Sequence, residues 1–182
     1  MKSLIILLLI IILLGLNLAA TEHHYYDVVS LGARPNSKFD SSNALQMAWQ
    51  SACGSLGRST IIIPQGQFLI QTHLEFSGKG CKSNDINFVI NGTIVAPKNF
   101  HVFKDSAIWL LFHNVDGIKI HGGVFDGHGS GLWACKRSGH GNCPRGVETL
   151  TFRNSRNVEI NGITSLNSQL YHIVIDGCHN VK

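Results

Sequence analysis

Three stretches of this chain repeat one another, and their spacing restricts the fold more than any other feature. Residues 111–122 carry Phe112, Asn114, Gly117, Ile118, Ile120 and Gly122, and residues 151–162 carry Phe152, Asn154, Asn157, Val158, Ile160 and Gly162 in the same places. A third copy sets Ile175, Asn180 and Val181 against Phe152, Asn157 and Val158, a constant offset of 23 residues. The first copy is offset by 40 residues, one such period plus an insertion between Asp126 and Glu148. Short apolar strands with Asn/Gly corners at a period in the low twenties suit a right-handed parallel β-helix, in which each coil buries its apolar side only by stacking on the next. Leucine-rich repeats share the period, but their leucine frame and asparagine position are missing. A β-sandwich has short strands without a constant offset. The expected class is therefore all-β.

Composition agrees with that reading. Charged residues are 14% of the chain and glycine outnumbers proline 19 to 4, which fits many tight turns and argues against a helical bundle. The net charge is +4 with no basic run longer than Lys136-Arg137, so no nucleic-acid partner is expected. Short β runs are expected at 60–63, 68–70, 86–90, 93–95, 108–112, 118–120, 150–152, 158–160 and 173–175. One helix is expected at 41–53: Asp40, Ser41 and Ser42 offer caps, and Ala44, Leu45, Ala48, Trp49, Ala52 and Cys53 form an apolar face. Its physical task would be to cover the exposed core of the first coil. His23 and His24 are expected to fray into solvent, and the glycines at 127, 129 and 131 to form a flexible turn with no helix after it.

The amino terminus has the order of a secretory signal peptide: Lys2, an apolar run from Leu4 to Leu14, then Ala19 and Ala20 before a polar stretch. Residues 1–20 are expected to be removed, leaving 21–182 as the folded part; a signal anchor is the alternative, because 3–20 is almost long enough to span a bilayer. After removal no membrane partner is expected. Secretion makes the five cysteines disulfide candidates. Cys135 and Cys143 enclose a short Gly-rich hydrophilic segment, and Cys53 with Cys81 would join a helix end to a later turn; Cys178 is left over. A zinc site from His128, Cys135, His140 and Cys143 competes for the same residues, but the spacings match no standard ligand pattern, so no metal is expected. Asn91-Gly92-Thr93 is a glycosylation sequon.

The order of short motifs along the chain resembles the amino-terminal part of plant polygalacturonases, pectin-cutting glycoside hydrolases of the pectin-lyase-like solenoid class. The resemblance is carried by Tyr26-Asp27-Val28, Trp49 to Cys53, Ile63-Pro64-Gln65-Gly66, Asn91 to Pro97, Gly122 to Gly129, Trp133 with Cys135-Lys136, Cys143-Pro144 and Asn167-Ser168-Gln169. His128 and Ser155 depart from the family pattern, which usually has Gln and often Cys there. The resemblance implies a cofactor-free, secreted, cell-wall enzyme, acting as a monomer on the α-1,4 bonds of homogalacturonan. It also implies catalysis by an Asn-Thr-Asp segment, an Asp-Asp pair, a Gly-His pair and an Arg-Ile-Lys segment on later coils; the first, second and fourth do not occur in this sequence, and Gly-His occurs only at Gly127-His128 and Gly139-His140, ahead of those coils. The expectation is therefore a β-helix cut before its catalytic coils, with a non-catalytic remnant as the alternative. Overlaying Asn180-Val181 on the family pattern places Tyr171 one coil below the expected catalytic aspartate, so Gln169, Tyr171 and His172 would line the cleft floor. Asp126 is expected to be a turn residue. A pectate lyase would need a calcium-binding carboxylate cluster, which the sequence does not offer.

Overall fold

A computed structural model describes residues 22–103, 105–139 and 141–182. The expected signal peptide lies outside these residues, as does His140 of the alternative zinc set. The chain runs β1 (His23–Asp27), β2 (Asn36–Asp40), α1 (Ser42–Gly54), β3 (Arg58–Ile63), β4 (Gln67–Leu69), β5 (Leu74–Ser77), β6 (Asp85–Ile90) and β7 (Thr93–Val95). After a 3-10 turn at Phe100–Phe103 follow β8 (Ile108–His113), β9 (Asp116–His121), β10 (Val124–Asp126), α2 (Ser130–Arg137), β11 (Glu148–Arg153), β12 (Arg156–Asn161), β13 (Thr164–Leu166), β14 (Ile173–Asp176) and β15 (His179–Val181). These strands form three sheets, ordered β1-β3-β6-β9-β12-β15, β2-β4-β7-β10-β13 and β5-β8-β11-β14. Every pairing is parallel. The chain passes from sheet to sheet and returns one rung higher, the right-handed parallel β-helix that the repeats require.

The repeat is the pairing register. Leu150 lies opposite Ile173 and Leu110, and Val158 opposite Val181 and Ile118. Strand alternation turns one face of each strand inward, so equivalent apolar residues stack up the axis. Phe76, Phe112 and Phe152 form one such column, with ring centroids 4.6 and 5.1 Å apart. Phe88, Ile120 and Ile160 come from the facing sheet, and Phe68, Ile94 and Phe125 from the third. The corners stack as well. Asn114, Asn154 and Gly177 all take positive φ (53°, 49° and 61°), the left-handed geometry that Asn and Gly adopt at least cost. A second ladder runs from Asn180 Nδ2 to Asn157 Oδ1 at 2.6 Å and from Asn157 Nδ2 to Asp116 Oδ1 at 2.7 Å.

The sheet β5-β8-β11-β14 lacks a strand in the lowest coil, and α1 takes its place. The helix buries Ala44, Leu45, Ala48, Trp49 and Ala52, and the Trp49 ring meets Phe76 and Phe112 at centroid distances of 5.4 and 6.1 Å. Its polar groups satisfy the open edge of β5: Trp49 Nε1 donates to Ser77 O at 3.2 Å and Gln46 Nε2 to Glu75 O at 3.2 Å. A bare parallel edge is thereby covered. The cap is supplied by Asp40, whose Oδ1 accepts from Ser42 N at 3.0 Å and Gln71 N at 3.2 Å. Ser41 is the N-cap position by geometry, but its hydroxyl turns away to accept from Arg34 N. The bridge Cys53–Cys81 ties the end of this helix to the turn after β5.

Two expectations are corrected. His23 and His24 do not fray: β1 adds to β3 in register, and His23 Nε2 meets Thr60 Oγ1 at 2.9 Å. Residues after the glycines at 127–131 are not an unstructured turn, because α2 follows directly. Local propensity there is poor, but Leu132 is fully buried and Cys135–Cys143 closes the segment, so tertiary packing outweighs propensity.

Candidate functional site

The turn between β13 and β14 carries the three residues singled out from sequence, and the structure treats them differently. Gln169 is 0% exposed. Its Nε2 donates to Gly127 O at 3.1 Å, while its Oε1 is buried with no hydrogen-bond partner. Tyr171 is 55% exposed, and His172 is exposed with Nδ1 at 2.8 Å from Ser165 Oγ. The turn is pinned to the coil below through its backbone. Thr149 N donates to Tyr171 O at 2.9 Å and Leu150 N to His172 O at 3.2 Å. Ser168 Oγ donates to Tyr171 O at 2.7 Å and itself accepts from Thr149 Oγ1 at 3.0 Å. Tyr171 and His172 therefore stand side by side at the foot of β14, on rigid backbone, while Gln169 lies beneath them.

Carried two residues back, the pairing of Leu150 with Ile173 sets Glu148 beside Tyr171 on the coil below. The Glu148 carboxylate accepts from Thr151 Oγ1 at 2.8 Å. Sequence reasoning passed over Glu148, although the same 23-residue offset leads from Tyr171 to it. At the other end of these strands side chains pair between coils: His113 Nε2 is 2.6 Å from Glu75 Oε1, and Arg153 Nε 3.2 Å from Asp176 Oδ2. In the neighbouring sheet Glu159 lies in register with Lys119 and next to Lys182. Asp176 and Glu159 thus face cations on the adjacent coil, and Glu75 a histidine, rather than another carboxylate. Asp126 serves its own turn, with Oδ1 accepting from His128 N and Asn167 Nδ2, both at 3.0 Å.

The insertion between β10 and β11 packs against the same turn. Trp133 Nε1 donates to Ser168 O at 2.8 Å, and Gly129 N donates to Asn167 O at 2.7 Å. Gly146 has φ +89°, and a Cβ there would lie 2.8 Å from Gln169 O, so only glycine lets the returning chain pass. Among the described residues no three His, Cys, Asp or Glu side chains are grouped to hold a metal ion, and no helix is long and apolar enough to cross a membrane. Asn91 is exposed at the corner between β6 and β7.

Comparison with known proteins gives a consistent result. The profile of the family described as glycosyl hydrolases family 28 matches residues 53–182. A polygalacturonase of Prunus persica is 44% identical over 167 residues, covering 92% of this chain and 42% of that protein. An exopolygalacturonase of Zea mays is 37% identical, covering 86% and 38%. The chain thus spans about two fifths of the length of these relatives. Among solved structures, an exopolygalacturonase from Thermotoga maritima superposes with a TM-score of 0.71 at 18% identity, covering 86% of this chain and 45% of that one. An endo-xylogalacturonan hydrolase from Aspergillus tubingensis does so at 0.70 and 22%, covering 86% and 42%. At those identities the superpositions speak for the fold.

Proposed function

The chain belongs to glycosyl hydrolase family 28, and from that membership we propose that it is the amino-terminal part of a polygalacturonase cutting the α-1,4-galacturonan backbone of pectin. The observation that carries this reading is the identity of 44% to a polygalacturonase over 92% of the chain. In the proposed role the protein loses residues 1–20 on secretion, acts as a monomer in the cell wall and carries a glycan on the exposed Asn91. Hydrolysis of a glycoside requires one carboxylic acid to protonate the leaving oxygen and a second carboxylate to activate water or attack the sugar. The Asn-Thr-Asp and Asp-Asp segments that would bring those groups in the family are absent from these 182 residues. This chain is therefore assigned the lower coils and the floor of the cleft, not the chemical step.

On that floor the exposed Tyr171 and His172 touch a galacturonate unit next to the bond that is cut. Buried Gln169 acts from beneath by fixing the turn that presents them. The test is release of reducing ends from polygalacturonate by the intact protein, set beside binding of the same polymer by residues 21–182 alone. The intact protein is expected to cut, and the fragment to bind without cutting. Tyr171→Ala in the intact protein is expected to raise KM about tenfold, the equivalent of roughly 1.4 kcal/mol of binding. An intact protein that leaves polygalacturonate untouched would sink the reading.

A further inference from the structure

Residues 127–147 contain three cations, Lys136, Arg137 and Arg145, and no carboxylate. Lys136 is engaged within the loop, donating to Arg145 O at 2.7 Å and lying 4.5 Å over the centre of the Trp133 ring. Arg137 and Arg145 are exposed, and among the described residues neither has a carboxylate partner. Two basic side chains are thus left open to an outside anion.

The loop that carries them is fastened at three points. Cys135–Cys143 closes it at a sequence separation of 8, and Leu132 is buried at its base. The Trp133 indole N–H is held by Ser168 O at 2.8 Å. Trp49 and Trp109 are 2% and 0% exposed, whereas Trp133 is 38% exposed. Through Ser168 the loop adjoins the turn that ends at Tyr171, so the partly exposed Trp133 and Tyr171 rings stand on adjoining turns, with Arg137 and Arg145 exposed on the same loop as Trp133. Aromatic faces stack on the C–H face of sugars, and a guanidinium takes a carboxylate in a fork-like pair. A ring already held in place loses little freedom on binding.

We propose that the disulfide-closed loop is a binding arm for uronate sugars, in which Arg137 and Arg145 take carboxylates of the polysaccharide and Trp133 stacks on a ring. The arm holds a stretch of substrate beyond Tyr171. The proposal rests on the galacturonan reading above. Phosphate polymers are less favoured, because two open cations in a chain of net charge +4 make no extended basic track.

The experiment is acrylamide quenching of tryptophan fluorescence in the intact protein, with Trp133→Phe to identify the signal of that ring. The probes are a galacturonate oligosaccharide, its fully methyl-esterified form and dextran sulfate. Galacturonate is expected to protect Trp133, and the ester and dextran sulfate to protect it far less. Arg137→Gln with Arg145→Gln is expected to weaken galacturonate binding about tenfold or more, with thermal unfolding unchanged because both side chains are exposed. The proposal falls if the double variant binds like the parent, if the ester protects equally, or if dextran sulfate protects equally, which would reveal a general polyanion patch. Galacturonan bound or cut with Trp133 unprotected overturns the arm alone. Galacturonan neither bound nor cut overturns the polygalacturonase reading as well.

Discussion

Asp85 sits between cations contributed by the coils on either side. Arg58 Nε lies 2.7 Å from one carboxylate oxygen and Lys119 Nζ 2.8 Å from the other. Burial pushes this carboxyl up, but the hydrogen bonds and charges of Lys119 and Arg58 together outweigh it and hold Asp85 below its ordinary value. A carboxyl depressed in the folded state stabilises the protein above its unfolded value, roughly pH 4, and loses that contribution as pH falls through the folded value. Asp85→Asn is therefore expected to cost about 1 kcal/mol at neutral pH. The gap from the parent should close on acidification below about pH 4, as followed by denaturant unfolding at a series of pH values. Gly117 makes a different prediction. It has φ +79°, and a Cβ there would overlap Asn84 O from the coil below. Gly117→Ala is expected to lower stability by about 2 kcal/mol or more, whereas Asn157→Gly, in the equivalent corner one coil up with φ 53°, keeps an unstrained backbone and should lose only the side-chain bonds to Asp116 and Asn180. The asparagine and glycine corners were legible in sequence because the residue type follows from φ. The burial of Gln169 was not, since Gly127 and Gly146, which lie against it, belong to an insertion that the repeat does not describe.

The elements of this fold are too short to be stable alone, and each depends on the column it joins. Phe112 stands between Phe76 and Phe152 and also meets Trp49 of the capping helix. Phe112→Ala should leave a cavity in the middle of the stack and cost about 3–5 kcal/mol, measurable as a lowered unfolding midpoint. The capping helix hangs on the same column at one side and on Cys53–Cys81, at a sequence separation of 28, at the other. Replacing both cysteines by serine is expected to cost about 3.5 kcal/mol in the chain-entropy view, with amide exchange rising first in α1. The helix and most inner strands were visible in sequence through periodicity. The three-residue strands β4 and β7 were expected from their apolar runs, whereas β10 and β13 were not, and it is their partners that make them strands. The second helix escaped sequence reading for the same reason, because a disulfide and one buried leucine hold it rather than its own propensity.

At the scale of the whole molecule the first coil and the last described coil are unlike. The end at β1 is covered by α1, while on the last described coil Leu166, Ile173 and Ile175 are 43%, 40% and 50% exposed. Apolar residues beside open parallel strands invite other chains to pair. Residues 21–182 expressed alone are expected to self-associate with rising concentration, by light scattering, and Ile173→Lys with Ile175→Lys should suppress this. A fragment that stays monodisperse at high concentration would contradict the prediction. The sequence by itself determined the architecture, because a solenoid writes its register into the chain: each coil must offer the same apolar residue to the same column and the same small residue to the same corner. It also carried the family resemblance and the partners of both disulfides. The tertiary structure decided what lies outside that period. It chose which of Gln169, Tyr171 and His172 reach solvent, and folded a glycine-rich insertion into a basic, tryptophan-bearing loop on the same turn. Those contacts join residues from different coils and an aperiodic loop, and their positions follow from packing in three dimensions that no local pattern records.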